Sequence, residues 1–355
     1  MRSLRILAPA AAVAVVIGTL ALPTSAAGEQ LAEGPISGGP VFSDGTVLWA
    51  SRDSILGQSG FRLPLPAPGP VDDLEVRGAT PTTLAAAKGL VAVRRSVYGC
   101  YQARPGEATT SCVESPEVLA GPSGGPLHRV GVPHRCTGFA AREDSLAIAA
   151  GSVLLVEPRS DCRVADRPDR VVAIDPRRPA GRRVLAEVFD PVIRAAGDFV
   201  VWSERSRRRL TVLNLRGGGV RRLPLGGARV DGFDVQADGT VVAALGGRAI
   251  AVYRQGRISR RLAIRAAGPL RVERDRVAGF TRAGFFVRDL RGRPAGLGGE
   301  APSTTFDFDG RKATWLRVRE LEPPTRCSDA PAPTPPCSPS PGRQELSLRR
   351  AAVAR

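Results

Sequence analysis

Six cysteines, two histidines and a few closely spaced carboxylates are the residues of this 355-residue chain whose types could do chemistry. The cysteines are Cys100, Cys112, Cys136, Cys162, Cys327 and Cys337, an even number with no Cys-x-x-Cys pair among them. Tetrahedral zinc sites are built from close ligand pairs, so this spacing points instead to disulfides in an oxidising compartment. His128 and His134 show no HExxH or other ligand spacing, and they read as loop or surface residues. Asp307 and Asp309, and Asp231 and Asp234, are close enough to suggest calcium binding or acid–base work. Each pair lies beside a turn, however, where aspartate is ordinary backbone chemistry.

The segment Gly121-Pro122-Ser123-Gly124-Gly125-Pro126-Leu127 mimics the GDSGGPL nucleophile segment of trypsin-like proteases. Here proline stands in place of the aspartate, and both histidines follow the serine, whereas the general base precedes it in that family. Gly-Pro-Ser is also common turn chemistry. The serine is read as part of a turn. No catalytic residue, cofactor or metal is expected.

The elements that must carry these residues repeat. Seven times the chain shows an apolar strand, a tight turn and a second apolar strand: VFSDGTVLW, LAAAKGLVAV, FAAREDSLAIA, IRAAGDFVVW, VQADGTVVAA, RVERDRVAGF and DFDGRKATW. Counting five places back from the end of the second strand marks turns at Asp44, Lys88, Asp144, Gly197, Asp238, Asp275 and Gly310, spaced 35 to 56 residues apart. Strands recurring at that period indicate propeller blades. A Gly or Asp-Gly turn supplies the positive φ that a two-residue hairpin requires. The second strands then carry a column, Trp49, Val93, Ala149, Trp202, Ala243, Phe280 and Trp315. Alternation places that column on one sheet face, packed against the neighbouring blade.

The expected fold is all-β: a single propeller of seven four-stranded blades, with six as the alternative. The blades are expected at about 38–75, 76–132, 133–188, 189–228, 229–268, 269–300 and 301–355. After Trp315 little chain remains for a fourth strand in the last blade. The orphan stretch Gln30 to Ser37 is expected to supply it and so close the ring. The stretch GDFVVWSERSRRRLTVLNLRGGGVRRLPL resembles the WD-type repeat of TolB-like exported propellers. Ser43-Asp44-Gly45, and Gly218-Gly219 with Arg221-Arg222-Leu223, carry the likeness. It implies architecture, because that group spans binding scaffolds and hydrolase appendages.

Residues 1–27 read as a signal peptide: Arg2 and Arg5 precede an apolar run from Ile6 to Leu22, then small residues suited to cleavage. With no later apolar span, the expected product is secreted or extracytoplasmic, soluble and monomeric. Formal net charge is +17, and the only lysines are Lys88 and Lys312, so the excess is arginine. Clusters such as Arg207-Arg208-Arg209, Arg221-Arg222 and Arg260-Arg261 read as a solvated outer edge. Sparse aromatic residues argue against nucleic acid.

Placed on blades, the cysteines gather on one face. Cys100 and Cys112 flank the second-to-third connection of blade two, and Cys327 and Cys337 flank that of blade seven. Cys162 lies in the connection of blade three, and Cys136 just before that blade. The simplest of fifteen pairings is Cys100–Cys112, Cys136–Cys162 and Cys327–Cys337. The leading functional expectation is a non-enzymatic scaffold holding a protein or an anionic envelope polymer on this loop face. The rival is a lactonase-, lyase- or hydrolase-like enzyme with its site in the central channel.

Overall fold

The computed structural model describes residues 29–33, 36–69, 75–100, 112–131, 145–157, 167–298, 302, 306–320 and 344–353. The signal-peptide segment 1–27 lies outside them. Seven antiparallel sheets stand around one axis, the first six with their strands in chain order from the innermost outward. Blade one comprises Ile36–Ser43, Thr46–Ser51, Ser54–Gly57 and Arg62–Pro64; blade two comprises Glu75–Ala87, Leu90–Cys100, Cys112–Pro122 and His128–Gly131. Blade three is Leu146–Ala149, Ser152–Glu157, Asp169–Ile174 and Arg182–Val188; blade four is Val192–Ala196, Phe199–Ser203, Leu210–Asn214 and Val220–Arg222. Blade five is Val230–Val235, Val241–Leu245, Ala249–Arg254 and Arg257–Leu262; blade six is Ala266–Glu273, Arg276–Thr281, Gly284–Asp289 and Pro294–Ala295.

Blade seven is completed from the other end of the chain. Phe306–Phe308, Lys312–Glu320 and Gln344–Val353 are followed in the sheet by Glu29–Glu33. That N-terminal strand pairs antiparallel with Gln344–Val353, and Arg350 Nε reaches Glu29 Oε2 at 3.1 Å. The expected closure holds, with the strand ending at Glu33; Ile36 and Ser37 already belong to the innermost strand of blade one. A closed ring leaves no open sheet at either end of the series.

The core lies between blades rather than inside one. Among the described residues each hydrophobic cluster joins two neighbours. Trp202 packs with Ala147, Leu154 and Val171 of blade three, Trp315 with Ala278 and Val287 of blade six, and Trp49 with Leu348 of blade seven. Val93 and Ala243 likewise face their preceding blades. Ala149 and Phe280 do not.

Both are corrections of register. In blade three the hairpin turns at Ala150-Gly151 (φ 48° and 73°), not at Asp144, so Leu146–Ala149 is the innermost strand. Leu155 then takes the place expected for Ala149 and packs on blade two. In blade six the turn is Arg274-Asp275, one residue earlier than the count implied, and Phe280 faces blade seven instead of blade five. A slip of one residue sends every side chain to the other face. In blade five, Asp238-Gly239 is not a two-residue hairpin. Val235 pairs with Val241, and the five-residue loop is held by Gln236 N–H to Thr240 O (2.9 Å) and Thr240 N–H to Asp238 Oδ1 (2.8 Å).

Candidate functional site

Two features of this frame place side chains where a partner or ligand could meet them: the central channel and the ends of the second-to-third hairpins. The channel encloses about 1040 Å³ and is walled by the innermost strands. One position of every innermost strand lines it: Val41, Ala85, Ala147, Arg194 and Arg271, each three residues before a two-residue turn, and Asp234 and Asp307, each two residues before a longer loop. Blades one to three thus give an apolar arc, and blades four to seven give alternating arginine and aspartate. Asp234 and Asp307 were visible in the sequence as members of acid pairs, but their alternation with Arg194 and Arg271 was not. The only signal would have been this position aligned across correctly registered blades.

The carboxylates of this arc are engaged by the next blade. Asp234 Oδ2 accepts the backbone N–H of Val272 in blade six at 2.8 Å, and Asp307 Oδ2 accepts that of Phe42 in blade one at 2.7 Å. Arg271 Nε lies 3.4 Å from Asp307 Oδ1, with its guanidinium 6.0 Å above the Phe306 ring. Phe306 in turn sits edge-on to Phe280 and Phe285, at 5.4 and 5.0 Å between centroids. Burial pushes the carboxyl of Asp234 upward, against the pull of Arg271, Arg194 and its backbone donors. Burial acts the same way on Asp307. Glu273 is raised by burial first and then by the nearby charges of Asp234, Asp307 and Asp309, with Arg274 opposing.

This arrangement braces the ring: carboxyl-to-backbone hydrogen bonds join blade five to six and blade seven to one. Asp309, expected at a turn, accepts the N–H groups of Arg311 (2.7 Å) and Lys312 (2.6 Å). Asp231 accepts Gly247 N–H at 2.6 Å. Among the described residues no group of three His, Cys, Asp or Glu side chains is placed to hold a metal ion. Ser123 sits in the turn between the third and fourth strands of blade two, its N–H bonded to Gly89 O at 2.7 Å. His128 opens the fourth strand and is exposed. His134 lies outside the described residues.

The hairpin ends are unequal. In blade two the second and third strands are 11 residues each, and in blade seven 9 and 10. In blade one, between them, they are 6 and 4. At about 3.4 Å per residue, the five extra residues of Leu90–Cys100 carry blade two roughly 17 Å beyond its neighbour. Blade seven rises by roughly 10 Å on the same arithmetic. The shorter blade one is therefore the floor of a notch between two arms. The arm of blade two ends with Cys100 in register opposite Cys112, and Cys100 is buried and disulfide-bonded. Tyr98, two residues below the tip, is an exposed aromatic. Cys136, Cys162, Cys327 and Cys337 lie outside the described residues.

A buried ionic network anchors the base of that arm. Arg95 and Glu117 face each other across the second and third strands, and their side chains are only 3% and 4% exposed. Glu117 also meets Arg129 of the fourth strand at 2.6 Å. Arg95 further donates to the carbonyls of Pro66 (2.6 Å) and Ala67 (3.0 Å), in the connection from blade one.

No family model and no curated protein matches the chain. Solved structures similar to it include YCF48 bound to D1 peptide, at 8% identity over 90% of this chain and 95% of that one, with a TM-score of 0.44. U3-55K is 12% identical over 81% and 90% of the two chains, with a TM-score of 0.44. BamB from Moraxella catarrhalis is 12% identical over 71% and 84%, with a TM-score of 0.37. These are partial likenesses of shape, and no functional residue passes from them to this chain. The seven four-stranded blades agree in their own right with the WD-type repeat that the sequence resembles. Among the described residues no helix is long and apolar enough to cross a membrane.

Proposed function

We propose that the protein is an exported, non-enzymatic scaffold that holds a partner protein in the notch above blade one. The observation that carries this reading is the inequality of the hairpins: two long arms flank a short blade on one face of a braced ring. A rigid propeller loses little freedom when it binds, so walls preset by sheet structure favour association. Cys100–Cys112 and Cys327–Cys337 bridges at the arm tips belong to the proposal. Each would remove loop freedom worth ~2–4 kcal/mol. The channel supports an enzyme less well, because its two column carboxylates are already taken by backbone donors of the next blade.

The test is capture of envelope proteins on the purified oxidised protein, beside a version whose segments 101–111 and 328–336 are replaced by short Gly-Ser links. A discrete partner that is retained by the full protein and lost on the trimmed one is the expected result. Equal retention by both would remove the notch as the binding surface.

A further inference from the structure

The outer rim of blades five and six carries a groove of about 310 Å³ that neither the channel nor the notch involves. Arg260 reaches it from the outermost strand of blade five, and Arg288 and Arg291 from the third strand of blade six and the turn after it; Arg261, opposite Ala251, faces blade four instead. Leu262 and Ile264 also line it. Arg260 Nη1 donates to Arg291 O at 3.2 Å, which holds that guanidinium across the blade boundary.

Among the described residues, none of these three arginines makes an ion pair with a carboxylate. Asp289, two residues before Arg291, is occupied. It accepts the backbone N–H groups of Arg291 (2.9 Å) and Arg293 (2.8 Å) and pairs with Arg293 Nε at 2.6 Å. Three cations therefore line one concave space. Like charges brought together repel, and the favourable state of such a space is one with an anion in it.

The arrangement is also repeated along the rim. One blade earlier Arg221 donates to Gln255 O at 2.8 Å, in the turn of blade five equivalent to that of Arg291 in blade six. Guanidinium groups are thus fixed at intervals of one blade. A carboxylate accepts one planar guanidinium fork well, whereas a tetrahedral phosphate can accept from several at once. A recess on a convex rim admits a chain but not a flat bilayer surface. We infer that this groove is a phosphate-binding site that takes successive groups of an extended phosphate polymer running along the rim of blades four to six.

Inorganic polyphosphate is the probe, titrated into the full oxidised protein at moderate salt and read by calorimetry. Replacing Arg260, Arg288 and Arg291 by Gln is expected to weaken binding at least tenfold and to flatten its dependence on salt. A control with Arg205, Arg208 and Arg209 replaced by Gln removes the same charge elsewhere and is expected to stay within threefold of the parent. Arg288→Gln/Arg291→Gln keeps the Arg260 clamp and is expected to lose most of the affinity with an unchanged urea midpoint. Equal losses in groove variant and control would reduce the effect to net charge and overturn the site. So would no binding by the parent, or vesicles of anionic phospholipid bound as tightly and through the same three arginines.

Discussion

Replacing Glu117 by Leu should be among the most damaging single changes available in this propeller. It leaves the Arg95 guanidinium, 3% exposed, without its counter-ion at the base of the blade-two arm. At an effective dielectric of 20, a charge pair at the 2.6 Å separation of Arg129 and Glu117 attracts by roughly 6 kcal/mol before desolvation. Arg129 is 36% exposed, so solvent screens much of its share. The buried Arg95 contact carries most of the effect, and breaking such a pair from one side costs ~3–5 kcal/mol. Against a total stability of ~5–15 kcal/mol that is a large fraction.

The companion variant Arg95→Met/Glu117→Leu removes both buried charges. It also gives up the bonds from Arg95 to Pro66 and Ala67, but those two residues are exposed and their carbonyls can turn to water. The double variant should therefore recover at least ~2 kcal/mol relative to Glu117→Leu alone. Urea unfolding of the oxidised proteins, monitored by tryptophan fluorescence and far-UV circular dichroism, gives both numbers from midpoints at constant slope. A cost below ~1 kcal/mol for Glu117→Leu would mean that the network behaves like a surface pair. A double variant as unstable as the single would show that packing, not stranded charge, sets the cost. Either result refutes the reasoning.

Two further outcomes follow from the ring. The folded-state carboxyl of Asp234 titrates above its unfolded value, so its contribution is fully present below the unfolded value and is lost as pH rises through the folded one. Wild type should gain stability relative to Asp234→Asn as pH falls across that window, as read by urea midpoints at successive pH values; a wild type that loses stability relative to the variant on acidification would reverse the sign and reject the assignment. Deleting residues 29–33 uncovers the edge of Gln344–Val353, and the shortened protein should self-associate in light scattering, whereas a stable monomer would show that the closing strand is dispensable.

Much of the frame was legible in the residues, because it rests on local rules. Gly45, Gly89 and Gly197 supply the positive φ of three hairpins, and Trp49, Trp202 and Trp315 mark inter-blade faces at a fixed distance from those turns. Where two turns compete locally, the rule fails. Ala150-Gly151 forms the blade-three hairpin although Asp144 offered a polar turn residue nearby. Arg274-Asp275 turns blade six without any glycine. In blade six one residue of register decided which neighbour Phe280 met, and in blade three a turn six residues later put Ala149 in the innermost strand.

The sequence alone determined the repeat, its strand–turn–strand content and the orphan N-terminal strand, since each depends on residues adjacent in the chain. It also confined Ser123 to a turn. Only the tertiary structure decided which charges meet. Arg194, Asp234, Arg271 and Asp307 become one arc because ring closure brings four innermost strands around a common axis. Arg260 meets Arg291, and Arg95 meets Pro66, for the same reason: blade-to-blade packing joins positions about 30 residues apart whose partners no local pattern announces. The height of the two arms over blade one is likewise a comparison between blades, and it exists only once they stand side by side.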